Sequence, residues 1–217
     1  MGGFIQRIIQ PGAQLPARTV CITFDDGYAD NWLAFEALSE RGMRASWFVV
    51  TRDLGERSRW PGESIPPQPI LSAEQLRRME AAGMEICSHT VSHCRLTKID
   101  DAALEEELIS SKQLLSDILR REVGTIAYPY GLYDERVVEA TRRAGYRVAF
   151  TADPGFGMIA DDPLRVRRIA VFNTDTLSAF SRKLALGWND VQWRTIARHA
   201  YRLLRTRRIS KTGMGNR

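Results

Sequence analysis

The most informative stretch of the sequence is Thr19-Val20-Cys21-Ile22-Thr23-Phe24-Asp25-Asp26-Gly27. Its first six residues are mostly apolar or β-branched, which predicts a buried strand over 19–24 that ends in a turn. Successive residues of a strand face opposite sides, so Asp25 and Asp26 can reach one pocket only if the turn at Gly27 redirects the chain. On this stretch alone, a polar cluster that caps the following helix explains the same residues.

Strands and helices alternate along the rest of the chain. Short apolar runs predict further strands at 45–50, 84–88, 125–128, 147–151 and 164–172. Apolar spacing with start and stop residues predicts helices at 31–41, 72–82, 101–121, 134–143 and 176–186. Ser72 with Gln75 three residues later has the pattern of a capping box. The alternation predicts an α/β fold in which helices lie outside a parallel sheet or barrel.

Length and composition favour a single domain. The chain has 217 residues, 44% of them hydrophobic, and can bury one good-sized core. No apolar run reaches the roughly 18–20 residues of a membrane-spanning helix. Residues 1–10 lack the basic start and apolar core of a secretory signal, so we expect a cytoplasmic protein. The three cysteines are too few for a disulfide framework.

The net charge of +5 is concentrated in one segment. Residues 188–217 hold eight basic residues against one acidic residue, a net +7, whereas the rest of the chain holds 23 basic against 25 acidic, a net −2. A body with this balance is not expected to bind nucleic acid. The segment 188–217 has apolar residues at helical spacing with arginines between them, which is typical of a basic amphipathic helix on an anionic membrane surface. A terminal helix packed on the barrel is the alternative.

Polar residues follow three of the predicted strands at the point where each strand ends. Asp25 and Asp26 follow the first strand, His89 follows the third, and Pro129-Tyr130 follow the fourth. In barrels and open α/β sheets, the carboxyl ends of parallel strands collect the functional groups. We therefore expect these residues to share one pocket, although they lie far apart in the sequence.

The segment His89-Thr90-Val91-Ser92-His93 places two of the three histidines of the chain four residues apart. On a helical turn, side chains at this spacing lie on one face, where two imidazoles can bind one ion. A carboxylate from the first strand end would complete a site of two histidines and one aspartate with positions open for water. Such a site is typical of hydrolytic metal centres. Considered alone, the pair could also be two unrelated polar histidines.

Three motifs resemble those of the NodB-type polysaccharide deacetylases, carbohydrate esterase family 4. The family motif T-F-D-D-G stands at 23–27, H-[ST]-x-x-H at 89–93, and R-x-P-[YFW]-G, with alanine in place of arginine, at 127–131. Order and spacing agree, and the similarity covers residues 17–172. The resemblance implies a distorted, incompletely closed (β/α) barrel of seven or eight strands in a single catalytic domain over 1–187. The basic tail over 188–217 would follow this domain.

The resemblance also implies roles for individual residues. The ligands of a divalent metal ion, usually zinc, would be Asp26, His89 and His93. Asp25 would be the general base, because an unligated carboxylate keeps the basicity that a ligated one loses to the cation. The backbone N–H of Tyr130 would bind the oxyanion that forms during hydrolysis.

The activity implied by the resemblance is metal-dependent removal of N-acetyl groups from an N-acetylated oligo- or polysaccharide, either an exopolysaccharide or a saccharide precursor. The Tyr-Pro-Tyr-Gly form of the third motif resembles the branch that acts on poly-N-acetylglucosamine and other exopolysaccharides. A weak or inactive glycan-binding homologue and a metal-dependent hydrolase of small amides on the same fold are alternatives. Four residues near the later motifs would contact the substrate: Tyr128, Pro129, Asp153 and Arg168. Pro129 has no N–H and would only shape its loop, and Asp153 also suits a turn.

The sequence departs from the family pattern in three ways. Ala127 replaces the arginine that often pairs with the catalytic aspartate, which leaves Arg167 and Arg168 as candidates for that role. The body of the chain has no late histidine to act as the general acid, so either Asp25 returns its own proton or another group serves. No tryptophan lies between Trp60 and the tail, so the sugar-stacking ring would be one of Tyr128, Tyr133 and Phe156.

Overall fold

The computed structural model describes residues 5, 19–60, 66–157 and 162–189. One compact unit holds the described residues up to Ala152 together with those in 157–166, and a second unit holds 153–156 and the described residues from Arg167 onward. The tail over 188–217 lies almost entirely outside the described residues, so its helix and its membrane contact stay predictions. None of the described helices combines the length and the apolar character needed to cross a membrane.

A five-stranded parallel sheet forms the centre of the first unit. Its strands are β1 (Thr23–Phe24), β2 (Ser46–Val49), β3 (Glu85–Ser88), β4 (Thr125–Ala127) and β5 (Val148–Phe150). Each strand pairs in parallel with the next one along the chain, so the order across the sheet is the order in the sequence. The sheet is a curled half-barrel, which confirms the expected α/β fold with an incompletely closed barrel.

One helix follows each of the first four strands, as the alternation predicted. These helices are α1 (Asn31–Glu40), α2 (Ala73–Ala81), α3 (Asp101–Leu119) and α4 (Glu135–Arg143), and the second unit contains α5 (Leu177–Leu186). The predicted capping box is confirmed: the Ser72 hydroxyl accepts the Gln75 N–H at 3.2 Å, and the Gln75 side chain accepts the Ser72 N–H at 2.9 Å.

The core lies on both sides of the sheet, and every residue of strands β2 to β5 is buried. The rings of Phe24 and Trp47 stack with centroids 4.8 Å apart, which ties the short strand β1 to β2. Apolar residues of helices α1 to α4 belong to two buried clusters with strand residues. This packing fixes the carboxyl ends of the strands, where the polar motifs lie. All three cysteines are free, as their number predicted.

The prediction of a strand over 164–172 is wrong. Only Val166 pairs with the sheet, as a single parallel bridge to β5. Farther along, the backbone N–H of Phe172 donates to Oδ2 of Asp175 at 2.8 Å and not to a neighbouring strand. The apolar and β-branched residues of this segment therefore do not form a ladder.

Candidate active site

The turn after β1 places Asp26 on the carboxyl edge of the sheet. The Gly27 N–H donates to the Asp25 carbonyl at 2.9 Å, and Asp26 between them has φ 70°. Positive φ is uncommon outside glycine and is often found at functional sites. A Cβ on Gly27 would lie 2.7 Å from Cγ1 of Val49, so glycine is required beside the buried strand β2. The predicted turn is thereby confirmed.

The second motif brings its two histidines together, but not on a helix. Residues 89–93 follow β3 in an irregular turn, and two of them have positive φ, Thr90 at 69° and His93 at 57°. The expected helical turn is wrong because side chains take the backbone N–H groups. The Glu107 carboxylate accepts the N–H groups of residues 91 and 92 at 2.9 Å each, and the Thr90 hydroxyl accepts that of His93 at 3.2 Å.

Asp26, His89 and His93 converge on one point. Oδ1 of Asp26 lies 3.4 Å from Nε2 of His89 and 3.3 Å from Nε2 of His93. One ligand atom from each residue lies within 4.8 Å of the others. Both imidazoles are buried, whereas the Asp26 side chain remains 26% exposed. The cluster therefore has the residue types and spacing of a three-ligand metal site that is open on one side.

Hydrogen bonding and burial prepare the imidazoles to act as ligands. Nδ1 of His89 lies 2.8 Å from the carbonyl of Ala127, which only accepts, so Nδ1 carries a proton and Nε2, which faces Asp26, is the nitrogen that can bind a metal ion. Nδ1 of His93 is buried and has no hydrogen-bond partner among the described residues. These observations fit a metal centre with two nitrogen donors and one oxygen donor.

The pKa values of the two histidines move in opposite directions. Burial, and then the neighbouring His89, lower the pKa of His93 to about 4, so this ring is neutral at neutral pH and can offer a lone pair. Burial would also lower the pKa of His89, but its contact with Asp26 and the charges of Asp25 and Asp26 raise that pKa above its ordinary value.

A cleft of about 520 Å³ opens beside His93. The His93 ring lies between Trp60, at 5.4 Å between ring centroids, and Tyr130, at 4.6 Å. Trp60 lies in a polar loop outside the family motifs and was not among the predicted site residues. Its position in the loop that follows the carboxyl end of β2, on the same edge as the motifs, could have identified this tryptophan as a site residue.

The residues of the third motif lie partly in the core and partly at the cleft. Tyr128 is fully buried, donates its hydroxyl to the Leu164 carbonyl at 3.1 Å and stacks on Tyr133, so its ring packs in the core and does not face the cleft. Pro129 is buried and begins a single 3₁₀ turn over 129–131. Tyr130, at φ 58°, is 38% exposed and lines the cleft.

The remaining predicted residues are placed elsewhere or act differently. Asp153 and Arg168 lie in the second unit, where the Arg168 N–H donates to the Asp153 carbonyl at 3.1 Å, and their substrate contacts stay predictions. Ala127 is buried in β4 and contributes the carbonyl that orients His89. The third histidine of the chain lies outside the described residues.

Comparisons with known proteins agree with this geometry. The family model of the polysaccharide deacetylases matches residues 12–149. The Bacillus subtilis (strain 168) protein YxkH is 31% identical over 164 residues, which are 75% of this chain and 55% of that protein. A poly-β-1,6-N-acetyl-D-glucosamine N-deacetylase of Staphylococcus aureus (strain N315) is 26% identical over 152 residues, 64% of this chain and 50% of that protein. The chain thus spans about half the length of these curated relatives.

Solved structures share the fold. A Streptococcus pyogenes deacetylase in complex with acetate superposes with a TM-score of 0.69 at 24% identity, over 83% of each chain. A polysaccharide deacetylase from Bacillus cereus superposes with a TM-score of 0.63 at 28% identity, over 76% of this chain and 50% of that one. With the family model matching well over half of its residues, the chain belongs to the polysaccharide deacetylase family.

Proposed function

We propose that the chain is a metal-dependent hydrolase that removes N-acetyl groups from an N-acetylated glycan. The observation that carries the proposal is the convergence of Asp26, His89 and His93 at the carboxyl edge of the sheet. Membership of the family supports glycan deacetylation, and the name of the Staphylococcus aureus relative supports poly-N-acetylglucosamine as the substrate class.

Zinc is the ion that we propose for this site. Two imidazole nitrogens and one carboxylate oxygen form a donor set that zinc accepts in hydrolytic enzymes. When bound, the ion would supply Lewis acidity toward the acetyl carbonyl and toward water. The exposed side of Asp26 leaves room for further ligands, which a purely structural zinc site would not require.

Asp25 would move the proton. Its charge acts on the His89 ring, which supports a position beside the triad. Its carboxylate would accept a proton from the attacking water as the new C–O bond forms. The same proton would then pass to the amide nitrogen as the C–N bond breaks, so that acetate and a free amine leave. This route does not require the late histidine that the body of the chain lacks.

Tyr130 would stabilise the oxyanion through its backbone N–H. The turn at 129–131 holds its ring 4.6 Å from the His93 ring, which supports a position next to the metal ligands. Gly131 packs so closely that an added Cβ would lie 2.2 Å from Cβ of Ala152, so the turn is held rigidly. A donor fixed in advance costs no reorganisation during the reaction.

Acetate release by protein that has been stripped of metal and reloaded with zinc tests the proposal. The reloaded protein should release acetate from oligomers of N-acetylglucosamine, and the stripped protein should not. Asp25→Asn should retain zinc and lower kcat by about 10²–10⁴, the range for removal of a general base. Absence of acetate from chito-oligosaccharides, poly-N-acetylglucosamine and acetylated xylan at full zinc occupancy would overturn the proposal.

Ala127 favours a second candidate, a homologue that binds glycan with weak or no turnover. Its methyl group is buried, so no guanidinium at this position orients Asp25. Such a binder would hold the glycan and release no acetate, and Asp25→Asn would leave its affinity unchanged. Hydrolysis of small N-acetylated amines without a sugar would instead favour the amide hydrolase alternative.

A further inference from the structure

The cleft beside His93 is rich in arginine. Of the eight described residues that line it, three are Arg52, Arg59 and Arg95, and none is acidic. All three arginines are exposed. A neutral sugar polymer can accept hydrogen bonds from arginine, but it offers no negative charge to balance three guanidinium groups on one wall.

A buried carboxylate holds two of these arginines in place. The Asp53 side chain is 0% exposed, and its Oδ1 lies 2.6 Å from Nε of Arg59 and 3.3 Å from Nε of Arg52. Its Oδ2 also accepts the backbone N–H of Arg59 at 2.9 Å. Each guanidinium carries five N–H donors, more than Asp53 engages in the described structure. Since the pair is fixed before a ligand arrives, less side-chain entropy is lost on binding.

The third arginine is fixed by an aromatic ring of the site. The guanidinium carbon of Arg95 lies 4.8 Å from the centroid of the Tyr130 ring, and that ring lies 4.6 Å from the His93 ring. Arg95 is therefore two contacts away from a proposed metal ligand. A group that it binds belongs to the sugar being deacetylated or to its neighbour.

Two described carboxylates lie close to Arg52, Arg59 and the turn that carries His93. Asp53 is buried beneath Arg52 and Arg59 and offsets one of their two charges. The Glu107 carboxylate accepts the N–H groups of residues 91 and 92 and the Ser92 hydroxyl, so it faces the turn that carries His93. Among the described residues, three cationic groups line the cleft, the carboxylates of Asp53 and Glu107 lie behind its surface, and the Asp26 carboxylate faces the two histidines.

We infer that the glycan bound in this cleft carries an oxyanion, a phosphate or a carboxylate, on or next to the N-acetylated sugar, and that Arg52, Arg59 and Arg95 bind it. The inference rests on the proposed function, because it names the substrate class of the same site. Arginine is suited to this role, since its planar fork binds phosphate and carboxylate groups through two parallel hydrogen bonds.

Binding of three oligosaccharides to the zinc-loaded protein tests the inference. The ligands are an uncharged oligomer of N-acetylglucosamine, the same oligomer with a phosphate on one sugar, and a hyaluronan oligosaccharide that alternates glucuronate with N-acetylglucosamine. At least one anionic ligand should bind about tenfold or more tightly than the neutral one, the gain from one charge-assisted hydrogen bond. The phosphate and uronate ligands distinguish the two sources of charge.

Variants of Arg95 test whether the preference for anionic ligands arises in the cleft. Arg95→Gln should lower the affinity for the preferred anionic ligand about tenfold more than the affinity for the neutral one, and Arg95→Lys should recover only part of the difference. Arg143→Gln is the matched control, because Arg143 ends α4 and pairs with Glu105 on the surface. The preference of the unmodified protein should also weaken as salt rises from about 50 to 300 mM.

Acetate release, measured on the same three ligands, separates the inference from the proposed function. Preferential anion binding without acetate release supports the inference and overturns the proposed function. Acetate release with equal affinity for neutral and anionic ligands, unchanged by Arg95→Gln, overturns the inference and leaves the proposed function standing. Binding of none of the three overturns the inference as well.

Discussion

Two aspartates follow neighbouring strands of the sheet and have opposite surroundings. Asp53, after β2, is fully buried and contacts two guanidinium groups, at 2.6 Å to Arg59 and 3.3 Å to Arg52. Asp26, after β1, is 26% exposed and faces two imidazoles at 3.4 and 3.3 Å. The cations beside the first carboxylate belong to the chain itself, whereas the second carboxylate faces two imidazole rings.

This difference distinguishes a structural carboxylate from a functional one. The ion pairs of Asp53 balance its charge and connect residues of the loop over 52–60. This carboxylate therefore requires no cation from solution. At Asp26, burial keeps His93 neutral, and the cluster presents lone pairs and one negative charge to a site that remains open. Such a set suits the proposed divalent cation. Substitutions at the two aspartates should therefore have different consequences.

The largest expected effect is the loss of metal binding at Asp26. Asp26→Asn removes the anionic ligand and should weaken zinc binding by more than about 100-fold, the upper range for residues that only support a ligand. Asp53→Asn should leave zinc affinity within about threefold, since the two sites share no partner. Competition with a chromophoric chelator measures both constants. Equal losses in the two variants would contradict the distinction between the aspartates.

A smaller effect is expected where the backbone positions Asp26. Gly27→Ala adds a Cβ 2.7 Å from Val49 at φ 79°, whereas Gly42→Ala at φ 64° meets no atom within 4 Å. Backbone strain alone should cost about 1 kcal/mol of unfolding free energy at Gly42, and the additional clash should bring the cost at Gly27 to about 3 kcal/mol. Urea unfolding measures both values.

A second-site variant checks the cause of that difference. Val49→Ala in the Gly27→Ala background removes the clashing methyl groups and should recover part of the excess cost, but the same change should not rescue Gly42→Ala. Zinc affinity should fall in Gly27→Ala and stay unchanged in Gly42→Ala, because only the first turn carries a ligand. If Val49→Ala gave no recovery, the clash would not be the cause.

Much of the fold and of the candidate metal site followed from local rules in the sequence. Ser72 and Gln75 predicted a helix start that the structure confirms, because a capping box involves only neighbouring residues. Asp26 and His89 were expected together, because parallel strands end on one edge of a sheet. Both predictions required no knowledge of which distant residues pack together.

The errors have a common physical cause, which is hydrogen bonding to side chains that the local pattern does not reveal. The spacing of His89 and His93 suits a helical turn, but the carboxylate of Glu107, on α3, takes the N–H groups of the turn. The three arginines that line the cleft were not predicted as site residues for a related reason. Arg95 joins Arg59 only in the folded protein, since β3 and its following turn lie beside the loop after β2.

A third prediction concerns the stability that Asp53 provides. Asp53→Asn leaves two guanidinium groups without their anion, and the cost should be about 2 kcal/mol, between the values for exposed and buried ion pairs because the Arg59 side chain is 63% exposed. The midpoint of thermal unfolding should fall by about 4–8 °C for a chain of this size. Asp117→Asn, at an exposed position of α3, is the control and should change stability by less than about 0.5 kcal/mol.

The smallest effect is the acid dependence of that contribution. Burial alone would raise the pKa of Asp53, but the hydrogen bonds from the side chain and backbone of Arg59, and those from Arg52, bring this pKa below its ordinary value. A carboxyl group whose pKa is lower in the folded protein stabilises it above the unfolded pKa of about 3.9, and the contribution is lost as pH falls through the folded value.

The difference in unfolding free energy between the unmodified protein and Asp53→Asn should therefore stay constant from about pH 8 to pH 5 and shrink below about pH 4. Urea unfolding at a series of pH values measures it. Because Asn keeps the shape of the side chain but carries no charge, a pH-dependent difference reports the ion pair, and a constant residual difference reports packing. A difference that already shrank near pH 6 would point to a histidine as its source and would remove Asp53 from the comparison with Asp26.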